Sequence, residues 1–267
     1  MFKIFIKFKN FIIDTKILIS IAAVCLYYCT VQIGPISFDK NYASFLFISV
    51  LFTYNIPHFL NKKFNFSNTK TLYGFPILFA AGYFFFQSID NILPFLSIVL
   101  LCLVVIFYYI PFGQNSLRTF SFSKIFIISL CWTMATVYIP YILDQNSKIG
   151  SENYLLIVER FLFIFAITIP FDIRDIVNDK KHGLKTIPIA IGIRNALILS
   201  ILILSLYLLL SAINYGFGPI FYSRVICASF VLILLLHIKP GLSNHYFTGL
   251  IDSSMILQCI LLVVFRQ

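Results

Sequence analysis

Long apolar runs alternate with short polar punctuation along this chain. Runs near 20 residues, enough to cross a hydrocarbon core as helices, fall at 16–34, 41–61, 72–88, 92–110, 124–143, 153–171, 194–213, 219–238 and 246–265. The pattern predicts an all-α, polytopic membrane helical bundle of about nine transmembrane helices. Turn residues such as Gly34, Pro35, Gly113 and Gly218 separate most of them. Residues 1–267 read as a single domain. Residues 1–15 form a basic, amphipathic lead-in expected to lie on the cytoplasmic membrane surface.

Two segments break the apolar rhythm. The runs fall into two similar blocks of four plus a ninth, and in each block the second helix leads into the most polar loop of its half. The first loop is TYNIPHFLNKKFNFSNTK, residues 53–70, and the second is PFDIRDIVNDKKHGLKTIPIAIG, residues 170–192. A pseudo-repeat that sets these polar ends face to face would build one site between the halves.

Composition strengthens the membrane reading. With 60% hydrophobic and 11% charged residues and a mean hydropathy of +0.94, the chain departs from the mix of a soluble domain. Placing the N-terminus in the cytoplasm leaves only Lys40, Lys148, Arg224 and Arg266 on the far side, with Arg160 inside a span. That bias follows the positive-inside rule and puts the 172–193 loop in the cytoplasm. A net charge of +10 does not indicate nucleic acid, because no soluble module with a basic face is present. All six cysteines lie in predicted spans, where they act as small hydrophobes, so disulfides are not expected.

Candidate chemistry concentrates in the second loop. Asp172, Asp175 and Asp179, three of the ten acids, sit there beside Arg174, Lys180, Lys181 and Lys185. Spacings of three and four put the carboxylates on one face of a helical end, where they repel unless a cation holds them. Magnesium binds through a few carboxylates and the phosphates of its substrate, so the set suits a metal-bound diphosphate. The plainer reading is a solvated loop in which Asp172 caps a helix and the acids pair with neighbouring Lys and Arg.

DIRDIVNDKKHGLKTIP resembles the second aspartate motif of the UbiA superfamily of intramembrane prenyltransferases. There a D-x-x-x-D pair is followed by a basic residue, a glycine and a K/R-T-x-P ending. Here these are Asp175, Asp179, Lys180, Gly183, Lys185, Thr186 and Pro188. The resemblance implies a UbiA-like bundle open toward lipid that binds a prenyl diphosphate through Mg²⁺ and passes the allylic cation to a hydrophobic acceptor. It implies Asp175 and Asp179 as metal ligands, with Asp172, on the same face by spacing, as a third, and the neighbouring Arg174, Lys181 and Lys185 as diphosphate contacts.

The first family motif, N-D-x-x-D-x-x-x-D, is altered. In YNIPHFLNK, Asn55, His58 and Lys62 stand where its carboxylates belong, which weakens hard-cation binding. Either Asn55 and His58 bind substrate directly while Lys62 neutralises phosphate, or catalysis has been lost. Lys124 lies where the family has cations near the diphosphate, although positive-inside anchoring explains it equally well. Asp252 sits roughly 10 Å inside the ninth span at about 1.5 Å per residue, which makes it a functional candidate. Glu159 and Arg224, both within spans, are expected to pair as scaffold.

The reading is therefore a membrane prenyltransferase, expected in a bacterial cytoplasmic membrane. The alternatives are an isoprenoid cyclase and a non-catalytic lipid-binding or transport protein on the same fold.

Overall fold

The computed structural model describes residues 12–60, 81–87, 91–109, 122–144, 150–239 and 241–266, with the backbone alone at 57–60 and 151–152. Among these residues there is no strand. The long helices are α1 (Ile17–Ile33), α2 (Lys40–Leu60), α3 (Ile92–Tyr109), α4 (Ser123–Leu143), α5 (Ser151–Lys181), α6 (Ile193–Tyr215), α7 (Pro219–Leu236) and α8 (Tyr246–Arg266). Helices α3 to α8 are each long and apolar enough to cross a membrane, and α1 is a shorter apolar helix. Residues 81–87, also helical, fall in the expected third span. The remainder of that span and residues 1–11 of the lead-in lie outside the described residues.

Each helix packs on the next, from α1 through α8, and α8 returns to α1, so the described helices close a ring. Helix α6 shows why. Its inward face is Ala196, Ser200, Leu204, Tyr207 and Ser211, mostly small or weakly polar groups that let helices approach. Its outward face is Leu202, Leu206, Leu209 and Ile213, all exposed, as a lipid-facing surface requires. The helix ends at Gly216, whose φ of 61° is a left-handed conformation open to glycine at little cost.

Prolines inside helices leave carbonyls without their usual donor, and at Pro170 and Pro140 that carbonyl receives a hydroxyl from a neighbouring helix. Pro170 in α5 deprives the Ala166 carbonyl, and Ser200 Oγ of α6 donates to it at 2.7 Å. Pro140 in α4 deprives the Thr136 carbonyl, and Thr30 Oγ1 of α1 donates to it at 2.7 Å. Just before Pro140, α4 widens into a π-helical segment, Met134–Tyr138, whose Ala135 carbonyl accepts Tyr42 OH at 2.6 Å. A second π-helical segment, Tyr246–Ile251, opens α8. Such segments recur at functional sites; the second borders the charged chamber described next, through Thr248, and the first lines the apolar chamber beyond it, through Ala135 and Thr136.

The expected pairing of Glu159 with Arg224 is present. The carboxylate accepts Arg224 Nη1, and both residues are buried. Arg160 turns the other way, donating to the Leu26 carbonyl at 3.0 Å and to Thr30 Oγ1 at 3.3 Å.

Candidate active site

The aspartates stand on the last turns of α5 and not in a loop, because the helix runs on to Lys181. At about 100° per residue, Asp172 and Asp179 return to within about 20° of one direction, while Asp175 is turned about 60° aside. Asp172 and Asp179 therefore point inward together, each 1% exposed, with Asp175 in the more open position.

Lys124, the second residue of α4, is driven into this cluster. Its Nζ lies 2.6 Å from Asp172 Oδ1, 3.4 Å from Asp179 Oδ2 and 3.7 Å from Asp175 Oδ2. Asp175 also receives Arg174 in a bidentate pair, Nε to Oδ1 at 2.8 Å and Nη2 to Oδ2 at 2.9 Å. The guanidinium rests over the rings of Phe171 and Phe247, 5.1 and 5.7 Å from their centres, so one carboxylate, gripped through two hydrogen bonds, and two rings fix its plane.

The segment after the aspartates sets up this geometry. Gly183, at φ +67°, ends α5 where a side chain would be strained. Thr186 then starts a single turn, Ile187–Ile191, its carbonyl accepting the N–H groups of Ile189 and Ala190 with Pro188 at the turn's beginning. The Lys185 carbonyl accepts the N–H of Phe122 at 3.0 Å. Phe122 itself holds a left-handed φ of 64°, uncommon for a bulky residue, and from that corner α4 begins and aims Lys124.

A chamber of about 270 Å³ lies beside the cluster. Lys16, Lys124, Arg174, Asp175 and Asp252 supply its charged groups, and Ile19, Ile164, Ile167 and Met255 are among its apolar ones. Its walls come from both blocks of helices and the last helix. Asp252, 7% exposed, follows the π-helical start of α8, and the cations acting on it are Arg174 and Lys16. Lys16 occupies a left-handed turn at φ 68° just ahead of α1, its carbonyl accepting both the N–H and the hydroxyl of Ser20. Backbone strain of this kind gathers at functional sites.

A second chamber, about 490 Å³, is almost wholly apolar, with Tyr42, Phe45, Leu46, Phe85 and Ile98 in its lining. Tyr54 and Trp132 belong to the walls of both chambers. Trp132 Nε1 donates to Tyr54 OH at 3.2 Å, with ring centres 6.5 Å apart. A charged compartment and a greasy one thus meet at an aromatic pair.

Of the site residues expected from sequence, Lys124, Arg174, Asp175 and Asp252 line the charged chamber, with Asp172 and Asp179 buried behind Lys124. Asn55 does not line it. Its Nδ2 donates to the Leu51 carbonyl at 2.8 Å and the Thr15 carbonyl at 3.3 Å, bracing the turn that presents Lys16. Lys181 and Lys185 are exposed at the end of α5 and beyond it, away from the chamber. The His58 side chain and Lys62 lie outside what the structure describes. Sequence reasoning missed Lys16, one of many basic residues on the expected cytoplasmic side, and Tyr54, which adjoins Asn55 but points elsewhere on the helix.

The donor set also bears on the expected magnesium. Carboxylate oxygens are its proper ligands, but two of the three expected ones enclose an ammonium group and the third holds a guanidinium. An ion shared by Asp172, Asp175 and Asp179 does not fit without displacing Lys124.

Solved structures share this architecture. A UbiA homologue from Archaeoglobus fulgidus superposes with a TM-score of 0.66 at 12% identity, covering 96% of this chain and 98% of that one. The same homologue bound to GPP and Mg²⁺ gives 0.62 at 13% identity, covering 96% and 99%. A digeranylgeranylglyceryl phosphate synthase gives 0.56 at 17% identity, covering 97% and 96%. At these identities the likeness is one of fold. No curated protein sequence matches the chain. The sequence profile of one family matches residues 63–243, a stretch that begins immediately after Lys62 and contains the whole second aspartate segment. With more than half of its length matched, this chain, a membrane-embedded helical bundle, belongs to the UbiA prenyltransferase family.

Proposed function

We propose that the protein transfers an isoprenoid group from a prenyl diphosphate to a hydrophobic acceptor. The observation that carries this reading is the pair of adjoining chambers: one holds Lys16, Lys124 and Arg174, the other is apolar, and Tyr54 and Trp132 stand at their junction. A prenyl diphosphate has the same division, an anionic head and a hydrocarbon tail. The binding of GPP by the A. fulgidus homologue supports the match.

With the head against Lys16, Lys124 and Arg174, the bond between C1 and the diphosphate oxygen lies near the junction. Breaking it sends the electron pair to the leaving diphosphate, where the fixed cations stabilise the charge that develops. The allylic cation left at C1 faces the rings of Tyr54 and Trp132, which attract it through their π-faces. A nucleophilic atom of the acceptor bonds to C1 and gives up a proton, for which Asp252 is a carboxylate in the lining of the chamber. No step is assigned to magnesium, for which Asp175 and Asp252 are the carboxylates facing the chamber among the described residues. The acceptor binds from the lipid side, and its class is set by what the junction admits.

The test is product analysis after incubating purified protein with geranylgeranyl diphosphate and acceptors drawn from membrane lipid extracts. Transfer releases inorganic diphosphate and gives a product carrying the prenyl mass on an acceptor fragment. A product without that fragment would assign cyclisation. Saturable binding with no diphosphate release would leave a lipid-binding protein and sink the enzymatic reading.

A further inference from the structure

We propose that Lys124 is the resident cation of the aspartate cluster, so that the ligand-free protein holds no divalent ion there. The proposal rests on the chamber geometry; its bearing on catalysis rests on the prenyl-diphosphate reading. Three carboxylates converge on one point, and Nζ occupies it, 2.6, 3.4 and 3.7 Å from Asp172, Asp179 and Asp175. Magnesium in that place would need oxygens at about 2.0–2.1 Å and its own waters. Asp172 and Asp179 are sealed behind the lysine, so an ion reaches them only by expelling it.

Charge balance agrees. Lys124 and Arg174 already offset two of the three negative charges, so the single charge left attracts a divalent ion far less than three free carboxylates would. The sequence shows the same preference in its first polar segment, because residues 53–70 contain no acid and three lysines. Fixed by two buried carboxylates, Lys124 becomes a rigid donor at the edge of the chamber, already oriented toward an arriving diphosphate. Asp172 and Asp179 are then positioning residues acting through Lys124.

The test uses Mn²⁺ alone as a spin-active probe, titrated into ligand-free protein in detergent. The native chain is expected to show no bound Mn²⁺ that depends on Asp172. Lys124→Met should create a site at least about tenfold tighter, since ligand charge governs such affinities, and adding Asp172→Asn should remove it. Lys124→Arg keeps the cation and should gain nothing. Monodisperse elution and native-like Trp132 emission establish that each variant is folded, and Lys124→Gln replaces Lys124→Met if that chain fails. Two outcomes overturn the proposal: Mn²⁺ bound by the native chain and lost in Asp172→Asn, or a folded Lys124→Met or Lys124→Gln chain that gains no site. Failure to bind any prenyl diphosphate would refute the transferase reading but leave this result standing.

Discussion

Replacing Ser200 by Ala should destabilise the protein only while Pro170 is present. The Ser200 hydroxyl is the donor that the structure gives the Ala166 carbonyl, 2.7 Å away, and Ser200 and Ala166 are both fully buried. Its loss strands a carbonyl inside the bundle, at a cost of about 1–3 kcal/mol for a buried unsatisfied group. Hydrogen bonds between membrane helices average only about 0.6 and reach about 1.7 kcal/mol, which narrows the expectation to about 1–2 kcal/mol. At about 2–4 °C per kcal/mol for a chain of this size, Ser200→Ala lowers the melting temperature by about 2–8 °C. Pro170→Ala supplies the missing N–H, which can donate to the same carbonyl four residues back. In that background Ser200→Ala should cost less than about 0.5 kcal/mol, within ordinary additivity error. Thermal unfolding in detergent, followed by emission from Trp132, the single tryptophan, measures all four chains. Equal losses in both backgrounds would refute the argument. Thr30 and Pro140 repeat the device less cleanly, because Thr30 Oγ1 also receives Arg160.

Arg224→Met and Glu159→Leu should each cost about 3–5 kcal/mol, with the double substitution costing less than either. The Arg224 change should be the more damaging. Without it Glu159 keeps Asn214 as a hydrogen-bond donor at 3.5 Å, whereas a stranded Arg224 keeps Ser211 at 3.1 Å and the Tyr215 ring at 4.5 Å; additive losses in the unfolding assay would contradict this. Arg174→Lys gives up the bidentate pair with Asp175 and the stacking on Phe171 and Phe247, and should weaken binding of a non-ionising thiolo analogue of geranylgeranyl diphosphate about tenfold; unchanged calorimetric affinity would remove Arg174 from the head site. Asp252→Asn takes a negative charge from the chamber, so the same analogue should bind equally or more tightly. A tenfold loss would mean that Asp252 holds the donor and not the acceptor side.

The fold was legible where lipid dictates it. The run at 16–34 became Ile17–Ile33 and that at 124–143 became Ser123–Leu143, because a spanning segment must be both apolar and helical. The run at 153–171 ended ten residues short of Lys181, since hydropathy falls at the aspartates while helical hydrogen bonding does not. The pairing of Glu159 with Arg224 was legible for a similar reason: opposite charges within a bilayer have few other partners. The site was legible only in part. Spacing put three aspartates on one helix, and a resemblance marked them, but neither disclosed that Lys124 would fill the space between. That depends on where α4 starts relative to α5, fixed by the contact of Phe122 with Lys185. Asn55 shows the same blindness on a smaller scale, as one step of about 100° separates it from Tyr54, which lines both chambers.

The most direct test of the two-chamber account is a titration of Trp132 emission with three ligands: inorganic diphosphate, geranylgeraniol, and the thiolo analogue that joins both halves. The account predicts a saturable change with the analogue at an affinity at least about a hundredfold above either fragment, as linked sites give, with most of that gain lost in Lys124→Met. An analogue that binds no better than its fragments, or leaves Trp132 unaffected, would contradict the account.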